Sequence, residues 1–226
     1  MKVFNFCCFN VLFIFVFFLS GMSCTSRSKE PAEPDPLEIT HKIQMETGKG
    51  NIVLGLFGNA MPVTVENFVK YVEDGFYDGL IFHRVVQDFV IQGGGFDEKM
   101  VQKQTREPIK LEMPPSKEVE DESGRKSKRL LISHEKHTIS MARTSFPHSA
   151  TSQFFITLAQ TKNLDPKPDH SEPNGYAVFG KVLEGGDVVD SIGSVKVTKR
   201  AGHVNVPEEP ITILKAFLIN GPGVKE

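Results

Sequence analysis

The sequence predicts a mainly β protein in which many short strands wrap into a closed barrel plugged by two helices. Three observations lead there. Short runs rich in β-branched and aromatic residues recur between turn residues. Only two stretches offer a short helix, one of them with a clear helical period. A chain of 226 residues with 39% hydrophobic and 24% charged side chains suits one soluble core with appendages.

Taken in order, Ile39–Met45 and Asn51–Phe57 read as strands joined by the hairpin turn Thr47-Gly48-Lys49-Gly50. Pro62 suits a first helical turn, after which Val65, Phe68, Val69 and Val72 repeat at i, i+3, i+4, i+7 and Gly75 ends the pattern. That is one amphipathic helix. Further strands are expected at Leu80–Val86, Phe89–Gln92, His137–Ala142, Gln153–Leu158, Ala177–Val182 and Ile211–Ile219, with a second short helix over Gly186–Ile192. The triple glycine 93–95 precedes no helix, so it reads as a tight turn rather than a phosphate loop. Residues 97–136, with nine acidic and ten basic side chains and the pair Pro114-Pro115, read as an exposed loop insertion. His134 within it and His137 just after it read as incidental surface histidines.

Composition excludes several classes. A net charge of −2 lacks the basic excess of a nucleic-acid binder. The three cysteines stand at positions 7, 8 and 24, so the body has neither a disulfide framework nor a cysteine-based zinc site. No metal motif, nucleotide loop or serine-hydrolase elbow occurs in the right context, and no cofactor is expected.

The N-terminus reads as an address. Lys2 precedes a stretch whose uninterrupted apolar part, Val11–Leu19, is too short to span a bilayer, and the small residues Gly21 and Ser23 follow. Residues 1–23 are therefore expected to be a signal peptide. Cleavage would expose Cys24, which resembles the lipid-modified residue of bacterial lipoproteins; an ordinary secreted protein or an uncleaved anchor is the alternative. Residues 24–36, with Pro31, Pro34 and Pro36, read as a tether. Residues 37–220 form the body and 221–226 a tail. The expected location is the cell envelope, facing the periplasm or exterior.

Within the body, Arg84 lies in the apolar run Phe82-His83-Arg84-Val85-Val86, where an unpaired buried cation would be costly. A groove would satisfy it. In Gln153-Phe154-Phe155-Ile156 the two-residue period puts Gln153 and Phe155 on one face and Phe154 and Ile156 on the core face. His83 reads as structural.

The runs FHRVVQDFVIQGGG at Phe82–Gly95, TISMAR at Thr138–Arg143, SQFFITL at Ser152–Leu158 and YAVFGKV at Tyr176–Val182 together resemble the cyclophilin family of peptidyl-prolyl cis–trans isomerases. The likeness runs from about Leu37 to Ile219, outside the charged insertion. It implies an eight-stranded antiparallel barrel capped by two helices, with Arg84, Gln92 and Phe89 as catalytic residues. It also implies that Val90, Ala142, Arg143, Gln153, Phe155, Leu164 and Tyr176 bind the substrate. Arg84 would donate to the twisting prolyl amide, Phe89, Val90, Phe155 and Leu164 would build the proline pocket, and Gln92, Ala142 and Arg143 would hold flanking backbone. Asn163 stands where drug-sensitive members carry tryptophan, so weak cyclosporin binding is expected. The implied partners are proline-containing segments of client proteins and, through the lipid anchor, a membrane; the protein is expected to be a monomer. A non-catalytic proline-peptide-binding chaperone module is the rival reading.

Overall fold

The computed structural model describes residues 35–167 and 174–220; the expected signal peptide, Cys24 and most of the tether lie outside them. Twelve strands and two α-helices follow one another along the described chain. β1 (His41–Thr47) and β2 (Gly50–Leu56) pair antiparallel with Thr47 opposite Gly50, so Gly48 and Lys49 make the expected turn. α1 (Pro62–Glu73) starts on its proline and buries Val65, Phe68, Val69 and Val72; Gly75 follows at φ +60°, a left-handed conformation that suits glycine. The sequence supplies no side-chain cap at Met61. The carboxylate of Glu112 does that work from far along the chain, accepting the Val63 N–H at 3.0 Å and the Thr64 N–H at 2.6 Å.

β3 (Leu80–Val86), β4 (Val90–Asp97), β7 (Thr138–Met141), β8 (Phe154–Thr157), β9 (Val178–Glu184) and β12 (Ile213–Asn220) complete one eight-stranded antiparallel sheet in the order β12-β1-β2-β9-β7-β8-β4-β3. α2 (Gly186–Gly193) follows β9 and adds Val189 and Ile192 to the same core. Phe68 of α1 sits at its centre, with ring centroids 5.1 Å from Tyr77, 5.6 Å from Phe154 and 5.2 Å from Phe179. Burying one such ring stabilises the fold by ~1.5–3 kcal/mol.

Three expectations are corrected. The barrel is not closed: the ladder has β12 and β3 as edges, which meet through one isolated bridge, Ile81 to Thr212, and two backbone bonds, Gly79 N–H to Ile213 O and Phe82 N–H to Ile211 O. Register shifts on both sides of Phe82 bend β3 away from a continuous seam, and Pro210 has no N–H with which to extend it. Gly93–Gly95 are not a turn but lie inside β4, where side chains from neighbouring elements occupy the space a Cβ would need. The charged insertion is not a plain loop either. It carries a two-stranded hairpin of β5 (Ser116–Glu120) and β6 (Lys126–Leu130), and it buries Leu111, Ile132 and His134. A second hairpin, β10 (Val197–Arg200) with β11 (His203–Pro207), turns at Ala201 and Gly202, both at positive φ. Alanine there hides the usual Asn-Gly signal.

Candidate active site

Nine of the ten residues singled out for chemistry in the body line one shallow pocket of about 100 Å³: Arg84, Phe89, Val90, Gln92, Ala142, Arg143, Phe155, Leu164 and Tyr176. They come from β3, the β3–β4 turn, β4, β8, the segment after β7, the turn at Lys162–Leu164 and the segment before β9. Gln153 is the exception, standing behind Gln92. A larger hollow of about 470 Å³ at Lys49, Lys196 and Glu208 has mixed charge and no aromatic lining.

The floor and walls follow from strand alternation. Phe154 and Ile156 point into the core at 0% exposure, so Phe155 faces the pocket. Val90 and Phe89 flank it, and Phe89 is held by its carbonyl, which accepts the Leu158 N–H at 2.9 Å. Tyr176 meets Phe155 edge-on at 5.4 Å. Arg143 lies 4.8 Å over the Tyr176 ring and donates through Nε and Nη2 to Gly175 O at 2.9 and 2.7 Å, and through Nη1 to Thr144 O at 2.8 Å. Its guanidinium therefore builds the wall.

Arg84 is half-buried and, among the described residues, makes no ion pair. Its Nη1 donates to Gln92 Oε1 at 3.3 Å, and Gln92 Nε2 donates to Gln153 Oε1 at 3.0 Å. This chain of amides orients the cation while leaving most of its donors free. Gly95 makes room for it: a Cβ there would fall 2.7 Å from Gln153 Cγ, Cδ and Nε2.

His83, next to Arg84, packs against Phe96 at 4.7 Å, and among the described residues its Nδ1 has no hydrogen-bond partner. Burial first, then the positive potential of His203 and Arg84, pushes its pKa down to about 4, so it is neutral near pH 7. The reading of His134 and His137 as incidental surface residues is overturned. His134 is wholly buried and bonds to Asp165 and Ser140, and His137 bonds to Asp190. No local pattern pointed to the two aspartate pairs, because those partners lie 31 and 53 residues away.

Residues 42–217 match the family model described as cyclophilin type peptidyl-prolyl cis-trans isomerase/CLD. A Streptomyces antibioticus protein named peptidyl-prolyl cis-trans isomerase cyp18 is 44% identical over 177 residues, 78% of this chain and 98% of its own. Escherichia coli peptidyl-prolyl cis-trans isomerase B is 41% identical over 171 residues, 76% of this chain and 95% of its own. Among solved structures, a cyclophilin from Hirschia baltica superposes with a TM-score of 0.62 at 22% identity, covering 84% of this chain and 77% of that one. At that identity the likeness speaks for the fold alone.

Proposed function

The chain belongs to the cyclophilin family and is a peptidyl-prolyl cis–trans isomerase, and from that premise we propose that the pocket beside Arg84 is where the prolyl bond turns. The observation that carries this is the convergence of a guanidinium that makes no ion pair among the described residues with an aromatic-floored hollow of mixed polar and apolar lining, sized for a small ring.

Resonance gives the X–Pro bond a barrier of ~18–20 kcal/mol. As the bond twists, the proline nitrogen becomes pyramidal and its lone pair localises. Arg84 donates to that nitrogen or to the neighbouring carbonyl, an interaction stronger in the twisted state than in either planar one. One charge-assisted hydrogen bond of ~1.5–3 kcal/mol supplies roughly tenfold to a hundredfold. The Phe89, Val90, Phe155 and Leu164 side chains supply the remainder by holding the ring. No covalent intermediate is needed.

Arg84→Ala should lower kcat/KM at least tenfold in an assay of Ala-Pro peptide isomerisation, with circular dichroism unchanged. Arg84→Lys should recover only part of the loss, because an ammonium lacks the planar fork. Equal kcat/KM in wild type and Arg84→Ala would assign the chemistry elsewhere.

The clients proposed are exported or envelope proteins, reached from a tether ending at an acylated Cys24; the support is the pattern of the first 36 residues. The enzyme is proposed to act as a monomer. Cyclosporin binding is proposed to be weak, since exposed Asn163 offers no indole beside Leu164. Asn163→Trp should tighten cyclosporin in a calorimetric titration while turnover changes little, and an unchanged affinity would refute that contact.

A further inference from the structure

His134 has the hydrogen-bond partners of a hydrolase triad, but its Ser140 lies fully buried in β7, where no substrate reaches it. The arrangement serves another end. The ring of His134 stacks behind Phe155 with centroids 5.9 Å apart and planes at 11°. Its Nδ1 pairs with Asp165 Oδ1 at 2.6 Å and its Nε2 with Ser140 Oγ at 3.0 Å. A carboxylate only accepts, so the proton of the neutral ring is assigned to Nδ1 and Ser140 donates to Nε2.

The backbone of His134 is engaged as well. Its N–H donates to the same Asp165 oxygen at 2.7 Å, and its carbonyl accepts the Thr161 N–H at 2.7 Å. Residues 161 and 165 bracket the turn that brings Leu164 to the pocket, and Leu164 O in turn accepts the Tyr176 N–H at 3.1 Å. One buried residue thus backs the floor and straps both ends of the wall.

We infer that His134, acting through Asp165, is a positioning residue of the isomerase: it sets the spacing between the Phe155 floor and the Leu164 wall, and so the fit of the substrate's proline ring. The inference rests on the pocket beside Arg84 being the prolyl site. Loss of this spacing weakens the grip on the ring in planar and twisted states alike, which raises KM and leaves kcat nearly unchanged.

The test measures steady-state isomerisation of an Ala-Ala-Pro-Phe peptide by the full chain in four variants. His134→Leu and Asp165→Ala should raise KM at least fivefold with kcat within threefold of wild type. Asp165→Asn should stay within twofold in both, because the amide oxygen still accepts the two N–H groups. A purely structural role would shrink the active fraction, lowering apparent kcat with KM unchanged, and that result overturns the inference. KM does not depend on enzyme concentration, so a partly unfolded variant still decides. An Asp165→Asn as impaired as Asp165→Ala also overturns it. Leu164→Ala separates the two readings. If it raises KM while His134→Leu and Asp165→Ala do not, only the positioning role falls; if none of the three changes KM, the pocket assignment falls with it.

Discussion

Arg84 shows how much a single side chain depends on residues that touch no substrate. Its orientation passes through Gln92 to Gln153, and the path exists because Gly95 has no side chain. His83, one residue away, is neutral near pH 7 and carries a cost that depends on pH. Its folded pKa of about 4 lies below the ordinary 6.5, so between those values the unfolded chain binds the extra proton. The stability this contributes is fully present above pH 6.5 and drains away as pH falls towards 4. Between pH 7 and pH 5 wild type should therefore lose about 2 kcal/mol more stability than His83→Leu, measured by urea unfolding at each pH. Equal losses would show that His83 titrates normally in the fold.

At the scale of elements, the charged insertion has two parts with different duties. Its base is structural: Glu112 caps α1, Leu111 and Ile132 are buried, and the Leu131 N–H closes on Pro115 O at 2.8 Å. Its tip, the β5–β6 hairpin, is exposed along most of both strands and contains no pocket residue. Replacing residues 116–130 by a short Gly-Ser turn should leave tetrapeptide turnover within a fewfold of wild type. Glu112→Ala should instead destabilise the protein by about 1–2 kcal/mol in a denaturant melt, with kcat/KM of the folded enzyme unchanged. A turnover loss in the hairpin deletion, with the fold intact, would mean that the tip completes the groove. No change in the melt of Glu112→Ala would remove the capping argument. Both hairpins escaped the sequence reading for physical reasons: β5 and β6 lack an apolar alternation because neither face is buried, and β10–β11 turns on an alanine in a glycine conformation.

For the molecule as a whole, the N-terminal 34 residues bear on where this enzyme works, and the sequence alone speaks for them. Asp35 is already held to the body, its carbonyl accepting from Asn59 Nδ2 and the Glu38 N–H, so if Cys24 is acylated, residues 25–34 at ~3.1 Å each would let the body stand up to roughly 31 Å from a membrane. Cys24→Ser should then move the protein into the soluble fraction or leave an uncleaved precursor, and mass spectrometry of the native N-terminus should find acyl chains on Cys24. An unmodified Cys24 or Thr25 there would defeat the lipid anchor and leave the isomerase untouched. In the body, what the sequence determined by itself is what local periodicity encodes, the helix starting at Pro62, the strand Leu80–Val86 and the Phe154 and Phe155 faces, and what its resemblance to a family implies, the nine residues that line the pocket. Only the tertiary structure decided the rest. The open seam between β3 and β12, the remote cap at Glu112 and the burial of His134 against Asp165 each depend on partners far apart in the chain. Such pairings leave no local pattern, because a hydrogen bond or a buried ring is specified by the space two segments share and not by the residues on either side of it.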